Sequence, residues 1–559
     1  MRLSPLFKSS IAALLTATAL SSTASAQTAP AFDAARLSES IRVLSDDSFE
    51  GRGIATPAET KVIDYLSQQY AAAGFAPGGD LQPDGSRLWT QAVTLNRFAV
   101  SDFDAQVKIG DWTLPLEQGQ QIVASTRLPT ASGHVMLMGA PLVFVGYGIN
   151  APERNWNDFK GMDLKGKILI VLVNDADFED PSLDTFNGKA MTYYGRWTYK
   201  YEEAARQGAA GVLIVHETAP ASYGWNTVRN SWTGPQFDIE RADPSKERVP
   251  MEAWVQRDVA VELFQHAGLD FEALKLQARN RDFQPVVLPN ATLDAMFDVD
   301  QSSIETHNVV ARLAGATHPD ETILYSAHWD HLGIGEPDAN GDAIFNGAVD
   351  NAGGTAGLLE IARVYGAAPR TQRSIVMLSF TAEESGLLGS EYYAANPLYP
   401  LATTVAGFNM DSPNVYGRVT AMSLIGMGQS DLDAPVVAAV EAQGRTVQGD
   451  DNPGSGRYFR SDHFPLAKKG VPMAYAEGAG EFRDEPIAAR NAARAEYTAK
   501  RYHQADDEWS PDWDYSGQIE DLAVYYSVGR ALADSRDWPQ WRPGSEFGPA
   551  RAATADQRQ

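Results

Sequence analysis

The sequence predicts an α/β fold, a sheet flanked by helices on both faces. Three observations predict it. From residue 307 onward, short apolar runs alternate with helical patterns; apolar residues recur at helical spacing between 33 and 75; and a second set of apolar runs lies between 140 and 290. Alternation of strand and helix places helices on both sides of a sheet. With 559 residues, 44% hydrophobic and 21% charged, the chain is globular and long enough for two or three domains with packed cores.

The first 26 residues read as a secretory leader. Arg2 and Lys8 precede an apolar run from Ile11 to Leu20, and Ala24-Ser25-Ala26 forms an A-x-A cleavage signal. The run is shorter than the roughly 20 apolar residues of a membrane span, so no stable membrane anchor is expected. The expected location is periplasmic or secreted.

Next come "FDAARLSESIRVL" and "AETKVIDYLSQQYAAAGF", two helical stretches, the second closed by Gly74. From about 88 to 135 the pattern becomes short alternating runs, which suggests strands. Strands are expected at "PLVFVGYGI", "GKILIVLV" and "AGVLIVHE", with a helix in "WTYKYEEAARQGA". Beyond 307, "NVVARLAG", "TILYSA", "SIVMLSF", "TVAGFNM", "AMSLIGM" and "PMAYAE" read as strands. "GTAGLLEIARVYG" and "DAPVVAAVEAQG" read as helices. The last residues, rich in Pro, Gly and charge, read as a loose tail.

Composition excludes several function classes. There is no cysteine, so no disulfide framework and no thiol nucleophile; any metal must be held by His and carboxylates. The net charge of −26 makes nucleic acid and anionic membrane poor partners. No HExxH, GxSxG elbow or Walker-type loop is present.

What remains is a constellation at strand ends. His328 follows "ILYSA"; Asp350 precedes a Gly-rich helix start; Glu383 and Glu384 follow "SIVMLSF"; Asp411 ends the next strand; His463 lies before "VPMAY". Ligands in open α/β sheets bind beyond the carboxyl ends of strands. Two imidazoles and several carboxylates meeting there suit zinc, and a pair of zincs needs a bridging carboxylate. The adjacent glutamates then divide their roles: one binds metal while the other acts as a base on water. Each residue also has a plainer reading. His328 could be a structural histidine, the two glutamates a favourable helix start, Asp411 a turn cap beside Ser412-Pro413, and His463 part of a helix cap. His331 and His503 are weaker candidates, His331 for loop packing and His503 for the substrate side of a cleft.

"AHWDHLG", "NGAVDNAGGTAGLLE", "FTAEESGLLGSEYY", "FNMDS" and "SDHFPLAKKGVP" resemble the two-zinc exopeptidases of metallopeptidase family twenty-eight. The match is best to bacterial aminopeptidases. "LVFVGYGINAPERNWNDFKGMDLKGKILIVLVND" and "EEAARQGAAGVLIVHE" resemble the protease-associated domain inserted in several of them. The resemblance implies a mixed sheet of the zinc exopeptidase type with a β-rich insert. The division implied is 1–26 leader, 27–139 N-terminal part of the peptidase, 140–290 insert, 291–535 peptidase with the metal site, and 536–559 flexible tail. It implies two zinc ions, one on His328 and Asp411, the other on Glu384 and His463, bridged by Asp350. Glu383 would be the general base and Asp330 would orient His328. A cis bond is expected at Asp350-Asn351. Family enzymes often carry a Tyr before the last His; Asp462 stands there, with Tyr458 and Arg460 as nearby substitutes for stabilising an oxyanion. The implied activity is removal of the N-terminal residue of peptides with a free amino end. A carboxypeptidase and a metal-free binding protein of the same fold are the alternatives, with glutaminyl cyclase chemistry ranked lower because those relatives lack the insert.

Overall fold

The computed structural model describes residues 31–558 apart from 187, 336, 338 and 339. The expected leader, 1–26, lies outside the described residues. Among the described residues no helix is long and apolar enough to cross a membrane.

The chain forms a mixed α/β structure around one long sheet. The strand order is Thr446–Gln448, Val419–Ile425, Met473–Phe482, Thr404–Asn409, His318–His328, Arg373–Phe380, Val286–Leu313, His134–Phe144, Ile168–Leu172, Gly211–His216, Met251–Gln256 and Ile122–Ser125. The strand His318–His328 lies between Arg373–Phe380 and Thr404–Asn409 and is parallel to both, so three carboxyl ends open on one rim.

These strands are buried on both faces, which is why they read as continuous apolar runs rather than as alternation. Successive side chains go to opposite cores. Ile323, Tyr325 and Ala327 join one core with the helices Ala34–Leu44, Pro57–Ala72, Gly354–Ala367 and Ser516–Ala533. Leu324, Val376, Leu378 and Phe380 join the other, under the helices Leu388–Ala395 and His463–Lys468. The strands between 140 and 256 behave likewise. Ile168, Ile170 and Leu172 point to one core, and Leu169 and Val171 to another beneath the helix Trp197–Arg206.

The stretch from 88 opens with a 20-residue strand, Thr90–Ile109, paired along most of its length with the 28-residue strand Val286–Leu313, and continues with the strands Trp112–Pro115 and Ile122–Ser125. The long strand also pairs with Arg373–Phe380 and His134–Phe144, so it is continuous through residue 290 and joins the two halves of the sheet. The tail is packed, not loose. Trp541, Phe547 and Arg551 are buried. Arg551 donates to the Thr404 and Val405 carbonyls, and Trp541 Nε1 to that of Gly470. Its Pro and Gly residues shape turns between these anchors.

Candidate metal centre

His328 is the last residue of its strand and is almost wholly buried. Its Nδ1 donates to the Asp330 backbone carbonyl at 3.1 Å. A carbonyl can only accept, so Nδ1 carries a proton and Nε2 faces the carboxylates of Asp350 and Asp411. That Nε2 has no hydrogen-bond partner and lies 3.4 Å from Asp350 Oδ1 and 3.5 Å from Asp411 Oδ1.

On the other side of Asp350, His503 Nε2 lies 3.2 Å from Asp350 Oδ2 and 3.2 Å from Glu384 Oε2. Asp350 thus turns one oxygen to each set of donors. Zinc bonds of about 2.0–2.2 Å in tetrahedral array set their donors roughly 3.3–3.5 Å apart. The observed separations match that edge length on both sides. The buried, unpartnered nitrogen of His328 and the cluster of carboxylates around it fit a divalent cation, whose charge would offset their mutual repulsion.

Backbone and buried polar groups hold these donors. Asp350 lies in the turn Ala348–Gly353 before the helix Gly354–Ala367, and its bond to Asn351 is cis. The Asp507 carboxylate accepts the Val349 amide at 3.1 Å and the Asp350 amide at 3.1 Å. Gly347 has φ +51°, and a Cβ there would stand 2.1 Å from the Asp350 carbonyl oxygen and 2.6 Å from the His331 ring, so a side chain is excluded. His331 Nδ1 lies 2.6 Å from Glu384 Oε1, leaving Oε2 toward His503. Asp411 Oδ2 accepts from Ser461 at 2.6 Å, leaving Oδ1 toward His328.

Arg52 ties the ligand loops together. Fully buried, it donates to the carbonyls of Trp329, Leu44, Asn346 and Gly347 at 2.6–2.8 Å. The sequence marks it only as the middle of "GRG", with no periodicity or acidic neighbour to single it out. Asp507 is signalled only by its place four residues after His503.

Two sequence expectations change. His463 is not brought to the carboxylates. It begins the helix His463–Lys468, and its ring packs against Tyr458 and Tyr475 at centroid distances of 4.6 and 4.9 Å. Neither ring nitrogen has a hydrogen-bond partner, and burial lowers its imidazole to about 3, so it is neutral. His503 stands beside Asp350 and Glu384 instead, and the "SDH" motif reaches Asp411 through Ser461. Asp330 also acts differently. Its carboxylate is 3.7 Å from His328 Nδ1, too far for a hydrogen bond, and accepts the Glu383 and Glu384 amides. It is the Asp330 backbone carbonyl that orients His328.

Glu383 lines a cleft of about 1700 Å³ that also holds Glu384, Asp411, His503, Tyr502 and Arg460. Burial holds its carboxyl well above the ordinary range; His328 opposes this, and Glu384 and Asp411 add to it. Asp350 lies well below its ordinary range because His328 and His503 outweigh its burial. Tyr458 is buried in the core, with its hydroxyl unpartnered, and does not line this cleft; Arg460 does.

The sequence profile of Peptidase family M28 matches residues 308–527. "Aminopeptidase NAALADL1" of Mus musculus is 28% identical over 329 residues, 48% of this chain and 43% of its own. A "Probable zinc metalloprotease" of Pyrenophora teres f. teres (strain 0-1) is 38% identical over 103 residues, 18% of this chain and 22% of its own. The chain therefore spans less than half the length of these curated relatives. Among solved structures, an aminopeptidase from Aneurinibacillus sp. strain AM-1 is similar at 21% identity and a TM-score of 0.49, over 92% of this chain and 95% of that one. The segment that matches the profile of Peptidase family M28 contains His328, Asp350, Glu384, Asp411 and His503.

Proposed function

We propose that the protein is a zinc-dependent aminopeptidase with two metal positions. His328 and Asp411 would hold one ion, Glu384 and His503 the other, with Asp350 bridging. The observation that carries this is Asp350, whose Oδ1 lies 3.4 Å from His328 Nε2 and whose Oδ2 lies 3.2 Å from His503 Nε2. Bound zinc supplies Lewis acidity toward the substrate carbonyl and toward water.

The chain's own residues do the rest. Glu383, in the cleft beside Glu384, takes the proton of the attacking water as its oxygen bonds to the peptide carbonyl carbon. It returns that proton to the leaving nitrogen as the C–N bond breaks. Asp330 fixes Glu383 by its backbone, and so sets where the base can reach. The insert expected at 140–290 would form one wall of the cleft, to whose lining it contributes Arg196 and Trp197. Substrates would be peptides with a free amino end, met outside the cell if the leader reading of 1–26 holds.

Hydrolysis of a panel of aminoacyl anilides by the zinc-loaded protein tests this. Activity abolished by chelator, restored by zinc, and lost in Glu383→Gln is the expected result; equal rates for Glu383→Gln and the wild type would refute it. A carboxypeptidase reading is favoured by one observation, the cationic Arg460 in the cleft. Peptides blocked at one end or the other separate the two.

A further inference from the structure

Asp350 and Asp411 stand on different stretches of chain, and one side chain spans the two. Asn351 is wholly buried. Its Nδ2 donates to the Met410 carbonyl at 3.0 Å, and its Oδ1 accepts the Ser412 amide at 3.3 Å. Met410 and Ser412 are the residues on either side of Asp411. The same Oδ1 accepts the Gly354 amide at 2.8 Å, where the helix Gly354–Ala367 begins. A carbonyl only accepts and a backbone amide only donates, so these partners fix which way the carboxamide is turned.

The surrounding backbone is shaped for this contact. A Cβ on Gly354 would stand 2.2 Å from Asn351 Oδ1 and 2.6 Å from the Met410 carbonyl oxygen. A Cβ on Gly353 would stand 2.7 Å from Pro413 Cγ. Both glycines have ordinary helical φ, −62° and −67°, so close approach and not backbone conformation requires them. The Gly pair in "NGAVDNAGG" thus does more than open a helix. It lets the stretch 410–413 lie directly against the residue after Asp350.

Asp350 is therefore held from two directions. The Asp507 carboxylate takes the Val349 and Asp350 amides on one side. On the other side Asn351 grips the backbone before and after Asp411. None of the three Asn351 bonds reaches the stretches that carry Glu384 or His503. Loss of the carboxamide would leave the buried Met410 carbonyl and Ser412 amide without these partners, and free Asp411 to shift relative to Asp350.

We propose that Asn351 is a positioning residue that sets the separation of Asp350 and Asp411, and through it the affinity of the metal position they share with His328. The assignment rests on the reading of two metal positions.

The test is zinc titration calorimetry of metal-free protein in two backgrounds. His503→Ala keeps the position of His328 and Asp411, and His328→Ala keeps the other. Adding Asn351→Ala is expected to weaken zinc tenfold or more in the first background and less than threefold in the second. Asn351→Asp still accepts the Ser412 and Gly354 amides but cannot donate to Met410, so it is expected to fall between, and it carries the comparison if Asn351→Ala does not fold. Gly354→Ala alters no donor and is expected to reproduce the selective loss by displacing the carboxamide. Equal weakening in both backgrounds, as a general loss of stability would give, overturns the proposal, as does unchanged affinity in both. Wild-type protein that takes up no zinc overturns this assignment together with the metal reading. Wild-type protein that takes up zinc yet hydrolyses no aminoacyl anilide, with the selective loss intact, overturns the aminopeptidase reading and leaves the role of Asn351 standing.

Discussion

The Asp330 carboxylate accepts the backbone amide of Glu383 at 3.1 Å and that of Glu384 at 3.4 Å. One buried side chain thus fixes the stretch that carries both the proposed base and a proposed metal donor. Burial raises the Asp330 carboxyl to about 6, against the pull of His328. Asp330→Ala leaves both amides and the His328 side of the loop less constrained. Losses of such supporting groups run to about 10–100-fold in activity or metal affinity. The expected result is a fall of that size in kcat/KM on an aminoacyl anilide, with a smaller fall for Asp330→Asn, whose oxygen can still accept an amide. Steady-state kinetics and zinc titration check it.

His503 and His463 should separate cleanly. His503→Ala removes a donor shared by Asp350 and Glu384, so the protein is expected to retain less zinc after dialysis against a mild chelator, and to lose activity. His463→Phe keeps an aromatic ring between Tyr458 and Tyr475 and is expected to keep its zinc. His463→Ala opens a cavity in that aromatic cluster, at a cost of about 2–4 kcal/mol in stability. Metal analysis with denaturant unfolding distinguishes the three. Full zinc retention in His503→Ala would return the ligand role to another residue.

The difference between these two histidines shows what a sequence can carry. His328, Asp350, Glu384 and Asp411 follow apolar strands or open a helix, so the strand-end rule finds them. His463 satisfies the same rule by position, yet the short helix that starts at it turns the ring into aromatic packing. His503 follows the turn Tyr497–Arg501 and has φ +58°, in a stretch with no apolar period to anchor a prediction. Arg52 acts through four carbonyls, and carbonyl partners leave no trace in residue type. Of the strand Val286–Leu313 only the end in "NVVARLAG" is legible in the sequence, because Pro289 and a polar centre interrupt the apolar pattern of the rest while its pairing to neighbours on both sides sustains it.

Arg52 gives a third prediction. It satisfies the carbonyls of both ligand-bearing loops from a fully buried position. Arg52→Lys keeps the charge but not the fork, and its three N–H groups leave at least one of the four carbonyls unpaired, at about 1–3 kcal/mol. A loss of at least that size in unfolding free energy is expected for Arg52→Lys, and a larger one for Arg52→Met. Added zinc should recover part of the loss in Arg52→Lys, because binding to the folded form alone raises apparent stability. Thermal unfolding with and without zinc is the measurement; a melt insensitive to zinc would detach Arg52 from the metal loops.

The cleft walls are joined by an ion pair whose pH dependence has a definite sign. Lys468, on the helix His463–Lys468, donates to Glu202 Oε1 at 2.8 Å and to the Tyr193 hydroxyl at 2.7 Å. Burial alone would raise the Glu202 carboxyl, but Lys468 outweighs it and draws the group down to about 2. A carboxyl lowered in the folded state stabilises the fold fully above its unfolded value, near 4.5, and loses that contribution as pH falls toward 2. A shift of this size corresponds to about 3 kcal/mol. Glu202→Gln is therefore expected to be less stable than wild type by up to about 3 kcal/mol at pH 7, with the gap closing between pH 4.5 and 2. Lys468→Met should be destabilised at pH 7 for the opposite reason, a buried carboxylate left with only the longer 3.7 Å pair to Arg206, and should gain rather than lose relative stability as Glu202 protonates. Urea unfolding of the three proteins across pH 2–7 checks both signs, and parallel curves would show that the pair does not join the walls.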